Sequence, residues 1–351
     1  MLTTEVKVIQ NIEDPNEDSI LDCAAHILLS GGLVVFPTET VYGLGGNGLD
    51  AAAAEKIYRA KGRPSDNPLI LHIAHPEDAK KYALVCENYE RLARAFMPGP
   101  LTVILPKREI VPYSVTGGLD TVAIRCPSHP VAHRLIEKCG VPIAAPSANI
   151  SGRPSPTCAK YVLEDMDGRV DMILDGGACE IGLESTIVKL DSDGVTLLRP
   201  GGITYDALTC LCSNVKIAPA VSHALSPDER PLSPGMKYKH YAPDSPFILL
   251  SGFEADVLAY FENALKTENC VLLCYSEEFS KLHKQFPDGK LIDIGARDDL
   301  AHQAKVLFTS LRDADKMGGS VIYGHLPPQN GLGLALYNRM IRAAAHTIKE
   351  I

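Results

Sequence analysis

The sequence predicts an α/β protein in two unequal parts, on three observations. Short β-branched apolar runs alternate with segments of helical periodicity along most of the chain. At 351 residues the chain exceeds what one hydrophobic core normally organises. Near Ala218 the pattern breaks, because APAVSHALSPDERPLSPGMKYKHYAPDSP packs six prolines into a stretch without an apolar period, after which alternation resumes. The expected division is a first domain over 1–217, a Pro-rich linker over 218–245 and a smaller domain over 246–351.

Taking the elements in order, Ile20, Leu21, Ala24, Ile27 and Leu28 recur at helical spacing between Asn16 and Gly32, with acidic residues in the first turn and Gly31–Gly32 as the stop. LVVFPTETVYGLG reads as a buried strand running into a turn, and a helix follows over Asp50–Ala60. Further strands are expected at Leu69–Ile73, Leu101–Leu105, Val122–Arg125, Ile143–Ala145, Thr186–Leu190 and Val195–Leu198, in an order the sequence leaves open. Past Pro246 come PFILLSG, a helix over Glu254–Lys266, CVLLCYS, KLIDIG, a helix over Leu300–Met317, SVIYGHL and a helix over Leu334–Lys349. That order implies a small parallel sheet, Rossmann-like in outline. It contains no catalytic constellation, so a docking or regulatory role is expected.

Composition excludes several classes. Hydrophobic residues at 46% and charged residues at 22% are those of an ordinary globular protein. The N-terminal stretch has no signal-peptide pattern and no apolar run reaches membrane-spanning length, so a cytoplasmic protein without a membrane partner is expected. Ten scattered cysteines then read as free thiols; Cys270 and Cys274, inside CVLLCYS, lack the second Cys/His pair of a zinc site. A formal net charge of −9 argues against non-specific nucleic-acid binding as the main activity.

GLGGNG at Gly43–Gly48 has dinucleotide-loop spacing, yet it follows the polar segment TETVY, and the loop KGRPSDNP stands where the ribose-binding carboxylate should end a second strand. These glycines are read instead as a close approach to ligand or a turn. His129 and His133 are four residues apart, but flanking prolines and the absence of a metalloprotease Glu favour surface or capping roles. A stronger signal is the recurrence of polar and basic residues in turns beside strands: Thr38–Thr40, Lys61, Arg63, Ser65 and Asn67, His72, Arg125, Ser147 and Asn149, Glu184–Thr186, and Arg199. Such a set converging at strand ends suits an anionic ligand such as phosphate. No P-loop motif is present.

Together PTETVYGLG, KGRPSDNPL, PGPLTVIL, TVAIRCP, APSANISGRPSPT, ESTIV, LRPGGIT and the linker's SPGMKYKHYAP resemble the YrdC-like family, specifically its long, two-domain threonylcarbamoyl-AMP synthases. The resemblance implies a YrdC-like twisted mixed sheet with flanking helices in the first domain. It also implies a reaction: L-threonine, bicarbonate and ATP, with Mg²⁺, giving threonylcarbamoyl-AMP and pyrophosphate. The product would pass to a separate transferase that modifies tRNA, and a weak direct tRNA contact is allowed.

Lys61 and Arg63 are the candidates for the triphosphate. By resemblance Asn67, Thr121, Ser147, Ser155 and Arg199 join the ATP site, with Ser147 and Asn149 at the reacting centre beside Lys61 and Arg63. Thr40, His72, Arg125, Ala145 and Ser185 would line the threonine pocket, and no side chain is assigned to a metal. Linker tyrosines Tyr238 and Tyr241 are expected to cover the nucleotide as a lid. The competing expectation is an RNA-binding or ribosome-associated factor in which the same cations grip phosphates without turnover.

Overall fold

An aspartate opens each of the first two long helices. The Asp14 carboxylate accepts from Asn16 N at 2.8 Å, and Asp50 does the same for Ala52 N at 2.8 Å, satisfying amides that have no partner within the helix. The computed structural model describes residues 2–191, 194–223 and 241–351. It divides into two compact units, Met1–Ser151 with Ser155–Lys237, and Gly152–Pro154 with Tyr238–Ile351.

In chain order the first unit contains β1 (Glu5–Val8), α1 (Pro15–Leu29), β2 (Val34–Phe36), β3 (Gly43–Asn47), α2 (Ala51–Lys61) and β4 (Ile70–His72). Then come α3 (Ala79–Tyr82), α4 (Glu87–Phe96), β5 (Leu101–Pro106), β6 (Thr121–Arg125), α5 (Pro130–Cys139) and β7 (Ile143–Ala144). The unit continues with α6 (Ala159–Met166), β8 (Met172–Asp175), β9 (Thr186–Asp191), β10 (Gly194–Arg199), α7 (Tyr205–Leu211) and β11 (Val215–Ile217). The strands form one mixed sheet in the order β1-β8-β2-β3-β7-β4-β6-β5-β9-β10-β11. On the sheet rest α1 and α5, whose buried Leu21, Ala24, Leu28, Val131, Leu135 and Ile136 share one core with Val34, Phe36, Ile143 and Leu174. Each Leu, Val, Ile or Phe among them contributes about 1.5–3 kcal/mol by leaving water.

The glycine segment departs from the sequence reading. Gly43, Gly45 and Gly46 form β3, antiparallel to β2, while Gly48 stands in the turn that follows it, closed by Asp50 N to Asn47 O at 3.2 Å; none of the four has a positive φ. The reason is packing: a Cβ on Gly45 would stand 2.7 Å from Phe36 Cε1 and 2.9 Å from Ile143 Cγ2. Gly45→Ala is therefore expected to cost about 1–3 kcal/mol through overpacking, read as a lower melting temperature. An unchanged melting temperature would show that the two side chains yield freely.

The second unit contains β12 (Phe247–Ser251), α8 (Glu254–Thr267), β13 (Cys270–Cys274), α9 (Ser276–Gln285), β14 (Lys290–Asp293), α10 (Leu300–Lys316), β15 (Val321–His325), α11 (Gly333–Ala343) and β16 (Ile348–Glu350). Its sheet runs β14-β13-β15-β12-β16 with every pairing parallel, as the alternation of strand and helix implies. The last helix stops six residues before the expected Lys349, because Ala345 and His346 take φ of 48° and 62° and the chain then adds β16 beside β12. Cys270 and Cys274 are buried free thiols on β13, within the apolar core of this unit.

Candidate active site

Three strands bring their polar ends into line. Within the sheet His72 pairs with Arg125, and Arg125 pairs with Thr102, so all three side chains leave the same face. Thr102 Oγ1 lies 2.7 Å from Ser185 Oγ, just before β9. At the end of β10, Arg199 donates through Nε to Ser185 O at 3.1 Å and through a terminal nitrogen to Ser185 Oγ at 3.2 Å. His72, Arg125, Ser185 and Arg199 thus belong to one polar row. Thr102 is an addition: in the sequence it reads as an ordinary strand residue, and its place follows only from the register, as does the pairing of Glu39 with Arg125.

Glu39 belongs to the tight loop between β2 and β3. There Thr38 Oγ1 lies 2.8 Å from Thr40 Oγ1, donates to Val41 O at 2.6 Å and accepts from Val41 N at 3.2 Å, holding Thr40 fully buried. That brace directs Glu39, whose Oε1 is 2.7 Å from a terminal nitrogen of Arg125 while Oε2 accepts from Ser128 N at 3.2 Å. The charges of Glu39 and Arg125 meet, but the Arg125 N–H does not point at the oxygen. Its terminal nitrogen, and its Nε as well, lack a hydrogen bond among the described residues although Arg125 is only 4% exposed. A buried donor left unpaired costs about 1–3 kcal/mol, which a bound carboxylate would recover. Burial, reinforced by the neighbouring Arg125 charge, pushes the His72 imidazole down to about 3, so at neutral pH this ring is an uncharged hydrogen-bonding group.

A second group forms around the end of α2. Gly62 caps the helix with φ 61°, a conformation that suits glycine, and so turns the chain between Lys61 and Arg63. Lys61 Nζ donates to Ser147 O at 2.5 Å, Asn149 O at 2.6 Å and Asn149 Oδ1 at 3.2 Å. Ser147 Oγ donates to Asn149 Oδ1 at 2.5 Å. The 147–149 loop is zipped to the β2–β3 loop as well, through Ala148 N to Tyr42 O at 2.8 Å and Leu44 N to Pro146 O at 2.9 Å. Ala145 N bonds Ile70 O at 2.9 Å, tying the same loop to β4.

Arg63 donates to Asn67 O at 3.0 Å and Pro68 O at 2.9 Å, shaping the loop that presents Asn67. The Oδ1 of Asn67 is buried without a hydrogen-bond partner among the described residues. Leu69 N bonds Val115 O at 2.8 Å, which joins this loop to the segment leading into Thr121. Thr121 itself stands at the opposite end of β6 from Arg125, about 13 Å along the strand, and so is not part of the Arg125 row. Ser155 Oγ donates to Glu184 Oε1 at 2.5 Å, one residue before Ser185.

Of the two linker tyrosines, Tyr238 lies outside the described residues. Tyr241 is 3% exposed in the second unit, its ring stacked on Phe308 at 5.1 Å. His129 caps α5, accepting from Val131 N at 3.3 Å.

A family profile described as "Telomere recombination", that of the Sua5/YciO/YrdC group, matches residues 26–201. A second, described as the C-terminal domain of threonylcarbamoyl-AMP synthase, matches residues 203–345. The chain belongs to the Sua5/YciO/YrdC family. It has the family's two-domain form, and full-length relatives agree. A Pyrococcus abyssi protein named threonylcarbamoyl-AMP synthase is 42% identical over 98% of this chain and 99% of its own. A Bacillus subtilis protein of the same name is 42% identical over 92% of each. The crystal structure of P. abyssi Sua5 complexed with L-threonine matches with a TM-score of 0.89 at 39% identity, covering 99% of this chain and 100% of that one. Among the described residues no helix is long and apolar enough to cross a membrane.

Proposed function

We propose that the chain is an L-threonylcarbamoyladenylate synthase, a nucleotidyltransferase acting in the cytoplasm. L-threonine, bicarbonate and ATP would give threonylcarbamoyl-AMP, pyrophosphate and water, with the chemistry in residues 1–217. The observation that carries this reading is Arg125, a buried guanidinium that faces Glu39 yet makes no hydrogen bond through Nε or one terminal nitrogen among the described residues, paired in the sheet with the neutral His72. The full-length relatives bearing the synthase name, and the similar structure holding L-threonine, support it.

Threonine's carboxylate would take the free edge of Arg125, with Thr40, His72, Ala145 and Ser185 around its side chain. Its amine and bicarbonate condense to a carbamate, whose oxygen attacks the α-phosphorus of ATP as the bond to the β-phosphate oxygen breaks. The carbamate is already an anion, so no side-chain nucleophile is required; positioning and fixed charge carry the rate. Lys61 and Arg63 supply the charge, Ser147 and Asn149 hold the reacting end, and Asn67, Thr121, Ser155 and Arg199 complete the ATP site. Tyr238 and Tyr241 remain candidates for nucleotide contact.

Mg²⁺ would enter with the triphosphate, neutralising the leaving pyrophosphate. Glu39 faces the Arg125 charge and accepts from Ser128 N, and Glu184 accepts from Ser155, so neither is offered as a metal ligand and no step is routed through a protein-held ion. A separate transferase would take the product to tRNA, which this protein would contact weakly if at all.

Burial disfavours the RNA-binding reading. Lys61, Arg63, Arg125 and Arg199 are each less than a tenth exposed, placed for a small anion that enters rather than for a polymer lying across a surface. The test is pyrophosphate release, expected only when threonine and bicarbonate are both present. Serine lacks one methyl, a difference of about 1–3 kcal/mol, and should support slow turnover, whereas valine lacks the hydroxyl and should fail. Release with no amino acid added would overturn the proposal.

A further inference from the structure

We propose that His75, His133 and Glu137 form a site for one divalent transition-metal ion of the zinc class, apart from the candidate active site. His133 and Glu137 sit one turn apart on α5, and His75 lies three residues beyond the end of β4. Glu137 Oε1 is 3.7 Å from His75 Nε2 and 3.7 Å from His133 Nδ1. The two rings meet edge to face, with centroids 5.5 Å apart. One ligand atom from each of the three residues lies within 4.8 Å of the others.

These separations exceed hydrogen-bond length, so three lone-pair donors converge on a common gap without bonding one another. Two imidazoles and a carboxylate are a donor set suited to zinc-like ions, and the side chains are 50%, 29% and 32% exposed, free to close to bond lengths of about 2.0–2.2 Å. A cavity of about 460 Å³, lined in part by His75 and Glu137, leaves room for water at an open coordination position. Nearby cations are directed to other carboxylates: Lys138 to Asp18 and Asp22 at 2.9 and 2.6 Å, Arg134 Nε to Asp18 at 3.0 Å, and Lys81 to Asp78 at 2.7 Å. Arg134 also approaches Glu137, with a terminal nitrogen 3.7 Å from Oε2, the oxygen not paired with the imidazoles. The metal would cross-link the continuations of β4 and β6, the central strands that carry His72 and Arg125, so its effect is to brace that end of the two strands.

The test is titration of the full-length protein with Co²⁺ followed by visible absorption, with Zn²⁺ as competitor. One equivalent is expected to give the d–d bands of nitrogen and oxygen ligands without thiolate charge transfer, and Zn²⁺ should displace it. His75→Ala and His133→Ala, both at exposed or half-exposed positions, should each weaken binding by more than about tenfold, while His283→Ala in the second unit leaves it unchanged. Wild-type affinity in both cluster variants, or no one-equivalent binding at all, would overturn the site, and absorption showing thiolate ligation would place the metal on the cysteines instead.

Discussion

Arg125→Ala is expected to lose threonine-dependent pyrophosphate release by about thirtyfold to several thousandfold in kcat/KM for threonine, from roughly 2–5 kcal/mol of buried, charge-assisted pairing. The KM for ATP should stay close to wild type. Arg125→Lys should not rescue, because an ammonium cannot present two parallel N–H groups to a carboxylate. The substitution also strands the Glu39 carboxylate, 4% exposed, without its cation. Leaving a charge buried alone costs about 3–5 kcal/mol, so the variant should melt at lower temperature. Glu39→Gln combined with Arg125→Ala separates the two effects, recovering stability while leaving threonine use lost. A threonine KM near wild type in a folded Arg125→Ala protein would remove Arg125 from the pocket.

Lys61→Met should act on turnover instead. The ammonium holds Ser147 O and both oxygens of Asn149, bringing a positive charge to the loop assigned to the reacting end. Removing one charge-stabilising donor from a site of this kind lowers kcat by about 10²–10³. Methionine keeps the bulk of the side chain, so threonine binding measured by calorimetry should change little. If kcat is retained and only the melting temperature falls, Lys61 is a brace for the 147–149 loop and the triphosphate charge rests on Arg63 alone.

Much of this arrangement is legible along the chain, because buried strands advertise themselves as short β-branched runs and the polar residues of the site stand at their ends. The expected strand at Val122–Arg125 differs from β6 by one residue, and Arg125 is already marked as a guanidinium needing an anion. Pairing is what a linear reading cannot supply. Glu39 against Arg125, and Thr102 against Ser185, depend on which strands become neighbours and in what register. The glycines of β3 mislead for a related reason: their weak strand propensity is overridden by the closeness of Phe36 and Ile143, a tertiary constraint invisible along the chain. Edge strands such as β1, with its exposed Val6 and Val8, carry no core pattern and exist through pairing with β8.

The parallel pairing of His72 with Arg125 has a consequence for how the molecule can change. Side chains alternate across a sheet with a period of two, so inserting or deleting one residue within either strand would send one of the pair to the far face rather than nudge it. The pocket can therefore be retuned by exchanging residues, while a change of strand length by a single residue would erase it in one step.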